Sequence, residues 1–175
     1  EVIRDSLLAV SGRLDGQLYG RPINPHRTSE DDKKRLFSGP LDGDGRRSLY
    51  LTASIMAPSR FLTAFDLPDL KLPTGKRSVT NVPPQSLLLM NDEFVITLAR
   101  HWADQLVKEG HSSPDERVEV MLIRGFGRSS TQAERQLWVE AAHEFATGTE
   151  IMANTAAWSH LAHTMFNTKA FIYFR

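Results

Sequence analysis

Apolar positions recur at helical spacing through the second half of the chain and lose that rhythm across most of the first. From Phe94, the residues Leu98, Trp102 and Leu106 follow at successive i, i+4 positions, with Val95 and Ala99 beside them. That spacing lays one wide apolar stripe along a helix and turns it toward a core. Ahead of it, Arg77 to Val82 is polar and runs into Pro83 and Pro84. Proline has a fixed φ and no amide proton, so the pair can open a helix but not sit inside one. Pro83 also drives Val82 out of the α region, which predicts an extended segment over 77–82. A short apolar run from Leu87 to Met90 follows. Asn91 is then the expected N-cap of the long helix, with Asp92 and Glu93 at the positive end of its dipole.

Three more helices are legible downstream. Ser113-Pro114-Asp115-Glu116 combines an N-cap, an N1 proline and a capping-box glutamate. The helix it opens should bury Val118, Met121, Leu122 and Phe126, with Gly125 and Gly127 stopping it. Thr131 and Glu134 form a second capping box, for a helix with Leu137, Ala141 and Phe145 on one face and Gly148 at its end. Asn154 or Thr155 caps a last helix that presents Trp158, Leu161, Ala162 and Met165. The tail Phe171-Ile172-Tyr173-Phe174 is apolar enough to dock on the bundle.

The first half is less regular. Residues 1–12 read as a short helix carrying Leu7, Leu8 and Val10, with Gly12 as its stop. Glycines and prolines punctuate residues 13–45, which predicts a long loop or arm with one helical turn after Ser29. From Arg46 to Met56, Leu49, Leu51, Ala53 and Ile55 alternate with polar residues at the period of a strand. A lone strand has no evident partner, so a helical reading of this stretch stays open. Pro58 can open a short helix through Phe61, Leu62 and Phe65, ended by Asp66-Leu67-Pro68. The expected fold is mainly α: a single helical domain over 1–175, a bundle of about five or six helices with a long irregular N-terminal arm and at most a minor β element.

Composition narrows the function classes. The 175 residues hold 21 Lys plus Arg against 21 Asp plus Glu, so no global field favours nucleic acid or an anionic membrane. No apolar run approaches the roughly 20 residues that span a bilayer. The absence of cysteine excludes disulfides, thiol catalysis and thiolate metal sites. The start Glu1-Val2-Ile3-Arg4 lacks an initiator methionine, which reads as a piece of something longer.

Candidate chemistry is sparse. His160 and His163, spaced i, i+3, could point to one side of a helix, but a metal would need a third ligand such as His143. The short zinc signature H-E-x-x-H is absent, and two polar residues on a helix face is the plainer reading. His26, His101 and His111 have no partner in sequence. Asp42-Gly43-Asp44-Gly45 begins like a calcium loop, yet Ala53 stands where the closing glutamate belongs, so a turn is expected. Neither a G-x-S-x-G elbow nor a phosphate-cradling glycine loop occurs. The strongest polar constellation is Arg46, Arg47, Asp66, Arg77, Thr80, Asn81, Gln85 and Asn91, gathered around the two prolines, with Tyr50 or Trp102 available to stack on a sugar ring. It could line a cleft for a polar polymer or a neighbouring domain. Structurally, such Arg–Asp pairs and amides tie extended segments to helix ends, and that reading weighs more. Glycoside hydrolysis needs two carboxyls facing across a cleft, and nothing pairs Asp66, Asp69 and Asp92. No catalytic residue is therefore assigned.

Several stretches together carry a family resemblance. They are Ile3 to Asp15 (IRDSLLAVSGRLD), Arg46 to Leu51 (RRSLYL), Phe61 to Asp66 (FLTAFD), Arg77 to Asp92 (RSVTNVPPQSLLLMND), Gly127-Arg128 with Thr131 and Glu134, and Trp158 to Tyr173 (WSHLAHTMFNTKAFIY). In this order they resemble the planctomycete-specific domain one, a C-terminal domain of unknown function in large exported planctomycete proteins. The resemblance covers nearly the whole chain. One departure is visible: Ala170 stands where the family's ending has a glutamate. The resemblance implies an extracytoplasmic location and neighbours that include cytochrome-c-like and carbohydrate-binding modules. It also implies that any haem belongs to a neighbour, with no cofactor in this chain, and it brings no catalytic residue. The function expected is a non-catalytic interaction or scaffold module contacting other domains of its own polypeptide. The alternative is a domain that binds or processes polysaccharide through the arginine-rich junction.

Overall fold

The computed structural model describes residues 1–148 and 150–173. Among them are eight α-helices and no strand: α1 (Val2–Val10), α2 (Arg60–Ala64), α3 (Pro83–Asn91), α4 (Glu93–Lys108), α5 (Pro114–Phe126), α6 (Gln132–Ala146), α7 (Thr155–Phe166) and α8 (Lys169–Ile172). The chain divides into two compact units, Glu1–Ala9 with Arg13–Leu88, and Val10–Gly12 with Leu89–Arg175.

The second unit is a helical bundle with an aromatic core. The stripe expected on α4 is buried throughout, and α4 lies along α7, which buries Trp158, Leu161, Ala162, Met165 and Phe166. Trp102 stacks on Phe166 with ring centroids 5.4 Å apart, and Phe166 tilts against Phe171 at 5.1 Å. Thus α8 docks through Phe171, as expected of the tail, while Phe174 lies outside the described residues.

Three local expectations are corrected. Asn91 is the last residue of α3 and does not cap α4. Asp92 does, because its extended backbone breaks the helix and its carboxylate accepts from the Phe94 amide at 2.9 Å. On α6 the inward face is Ala142 and Ala146, with Trp138 half-buried, whereas Leu137 is 66% exposed and Phe145 is also exposed. α6 packs against α7, with these two alanines on its buried face. Finally, Gly125 lies inside α5, and Gly127 alone ends it, in the left-handed conformation that glycine tolerates. The caps at Ser113, Thr131 and Asn154 form as expected.

The first unit is built differently. Between α1 and α2 the chain forms only short 3₁₀ turns at Asp32–Lys34, Gly43–Gly45 and Ser48–Tyr50. The turn expected after Ser29 exists but is capped by Asp31. The strand period over 46–56 misleads, and the rival helix does not form either. Leu49, Ile55 and Met56 are exposed, while the polar Arg46 and Ser48 are buried. Single-residue pairings hold the stretch instead, Asp15 with Arg46 and Ile23 with Leu51. The region 13–45 is irregular, as predicted, yet pinned. The Gly45 carbonyl accepts from the Asp15 amide at 2.8 Å, and the Gly39 amide donates to Pro25 at 3.1 Å. Further on, Lys71 to Pro84 are all exposed, and the two prolines open α3.

Candidate functional site

The polar constellation resolves into two clusters in the first unit, and the residue at the centre of the larger one is Arg4. Sequence reasoning missed it, since an arginine on a short helix ordinarily faces water. Here α1 turns Arg4 inward with Leu7 and Leu8, leaving it 4% exposed. Its guanidinium donates to the carbonyls of Arg46 at 2.9 Å and Asp42 at 2.8 Å, and to the Ser48 hydroxyl at 3.3 Å. Burial lowers its pKa, against the opposing pull of Asp5 and Asp42. Asp5 accepts from both the amide and the hydroxyl of Ser48, at 2.8 and 2.6 Å.

Arg46 continues the network. Its guanidinium donates to the carbonyls of Gln17 at 2.7 Å and Tyr19 at 2.6 Å and lies 3.5 Å from the Asp15 carboxylate. The same group covers the Tyr50 ring at 4.1 Å, and the Tyr50 hydroxyl accepts from the Tyr19 amide at 2.7 Å. Arg13 closes the ring on Asp42 at 2.5 Å. Where a sheet would pair backbone with backbone, this unit pairs backbone carbonyls with guanidinium donors.

The second cluster surrounds the approach to α3. Asp66, at φ 61°, accepts from the Thr80 amide at 2.7 Å and the Thr80 hydroxyl at 2.8 Å. Gln85 donates to the Thr80 hydroxyl at 3.1 Å and accepts from the Val82 amide at 3.3 Å. Arg77 meets Glu1 at 2.7 Å; that bond raises the arginine's pKa and lowers the carboxyl's.

Of the predicted site residues, Arg46 and Tyr50 are committed internally, and Asp66, Thr80 and Gln85 brace the extended approach to α3. Arg47 reaches Asp5 at 3.8 Å from an exposed position. Asn81 and Asn91 are exposed, and Asn91 falls in the other unit. Trp102 is 0% exposed, so its ring is closed to any sugar. His160 packs its ring on Phe145 at 5.7 Å, whereas His163 sets Nε2 3.0 Å from the Leu89 carbonyl. A ring nitrogen facing a carbonyl carries the proton, which leaves Nδ1 as the acceptor of His163. Among the described residues no group of three His, Asp or Glu could hold a metal ion. No described helix is long and apolar enough to cross a membrane.

A family model described as PSD1, a protein of unknown function (DUF1553), matches residues 1–142. No curated protein and no solved structure matches the chain.

Proposed function

The chain belongs to the PSD1 family of proteins of unknown function (DUF1553), and from that premise we propose that it is a non-catalytic interaction module. The observation that supports this reading most directly is the exposure of large apolar side chains on the irregular unit. Tyr19 is 80% exposed, Leu49 75% and Val79 93%, with Leu18 and Leu72 also exposed. Large apolar side chains left in water gain free energy when a partner surface buries them. The partners are other domains of the same polypeptide, in an exported planctomycete protein that works outside the cytoplasm. Haem chemistry resides in a cytochrome-c-like neighbour and not in this chain.

Hydrogen exchange on this chain alone and within its full-length protein tests the reading. Amides of 71–84 and 16–20 should exchange more slowly in the full-length context. Equal rates in both would sink it. A polysaccharide ligand is the weaker alternative, because the donors of Arg46 and the face of Tyr50 are already engaged. Arg47, Arg77 and Asn81 are what remain to such a ligand.

A further inference from the structure

A groove of about 600 Å³ opens in the first unit between the 26–36 segment and residues 56–60. Arg27, Lys34 and Arg60 line it, together with the apolar Leu36, Met56 and Pro58. Asp31 also lines it, but its carboxylate is held by Lys34 at 3.1 Å. That pair cancels itself and leaves two guanidinium groups as the net charge of the wall. Arg60 forms no ion pair among the described residues. Arg27 has its Nε buried with no hydrogen-bond partner.

The groove is also held in place. Ser38 accepts from the Arg27 amide and donates to the Arg27 carbonyl, both at 3.0 Å, which fixes the backbone carrying that guanidinium. We propose that this groove binds a small molecule bearing an oxyanion, carboxylate or phosphate, on a short aliphatic body. The guanidinium fork matches both oxyanions in two-point geometry. The volume is that of a small-ligand site. The apolar side chains of the wall are aliphatic and include the unbranched, adaptable Met56. None of the residues that line it belongs to the Arg4 network.

Amide NMR titrations with hexanoate, hexyl phosphate, inorganic phosphate and hexanol test it. Both amphiphilic anions should shift amides of 26–36 and 56–60 saturably, at least about tenfold more tightly than hexanol. Arg60→Gln, at an exposed position, should weaken both anions by about fivefold or more, and Arg27→Gln should do the same with an unchanged circular dichroism spectrum. Arg21→Gln, outside the groove, should leave binding as it was. The proposal is overturned if neither anion saturates, if hexanol binds as tightly, or if Arg60→Gln has no effect. Equal affinity for inorganic phosphate and hexyl phosphate would overturn the aliphatic part and leave an adventitious ion only.

Discussion

One buried guanidinium ties three acceptors of the first unit together. Removing Arg4 would leave the carbonyls of Arg46 and Asp42 and the Ser48 hydroxyl without that donor in a region closed to water. Arg4→Leu, similar in bulk, is therefore expected to cost about 3 kcal/mol, read from urea denaturation. Arg4→Lys should recover little of it, since one ammonium cannot reach three acceptors arranged around a planar fork. Arg47→Ala, at the exposed rim, should stay within about 0.5 kcal/mol. If the two arginine positions cost the same, the network is decoration. Gly45 offers an independent test of the same packing. Its φ is +73°, and an added Cβ would sit 2.0 Å from the Arg13 carbonyl oxygen. Gly45→Ala should therefore cost roughly 2 kcal/mol or more in the same assay, because the backbone itself must move. These residues also mark where reading the sequence fails. A lone Arg among Val2, Ile3 and Asp5 carries no mark of burial, since its acceptors lie about forty positions away in a segment without periodicity.

Helices were legible where large side chains carried the pattern. The α4 stripe and the Ser113 and Thr131 caps could be read directly, because bulk at i, i+4 and a hydroxyl before a proline or glutamate each have one cheap structural outcome. On α6 the reading slipped by one residue, about 100° of helix, since two alanines bury well but signal weakly. Over 46–56, alternation was present and meaningless, because a 3₁₀ turn exposes Leu49 and buries Ser48. The break between α3 and α4 gives a direct test of the corrected cap. Asp92→Ala should lower stability by about 1 kcal/mol by orphaning the Phe94 amide. Gly125 inside α5 and Gly127 just past its end should respond in opposite directions. An added Cβ at Gly125 meets the Trp102 and Met165 side chains at 3.4 and 3.5 Å, ordinary contact, so Gly125→Ala should stabilise by about 0.5–1 kcal/mol. Gly127→Ala, at φ +69°, should instead destabilise by about 1 kcal/mol. Melting curves of the pair that moved together would contradict the boundary drawn between them.

At the level of the whole chain, the two units rely on different forces, and the acid response of the second can be followed by itself because all three tryptophans lie in it. In the second unit several carboxyls are held below their ordinary range. Glu109 is lowered first by Arg124 and further by His111, and Glu134 by Arg128. Glu116 is lowered by the Ser112 hydroxyl and amide, and Glu150 by the amides of Ala153 and Met152. A carboxyl with a lower pKa in the folded than in the unfolded state adds stability at any pH above the unfolded value. That stability is lost as pH falls through the folded one. The melting temperature of the second unit, followed by tryptophan fluorescence, should therefore hold steady down to about pH 4.5, the ordinary glutamate value, and decline below it. Salt should blunt the part due to Glu109 and Glu134, which face part-exposed guanidinium groups, and spare the backbone-bound Glu150. Glu134→Gln should flatten the acid limb without moving the plateau by more than the worth of an exposed pair. A melting temperature that rose on acidification would mean that these carboxyls are held by repulsion rather than by their donors, and the capping and ion-pair geometry of α5 and α6 would then be wrong.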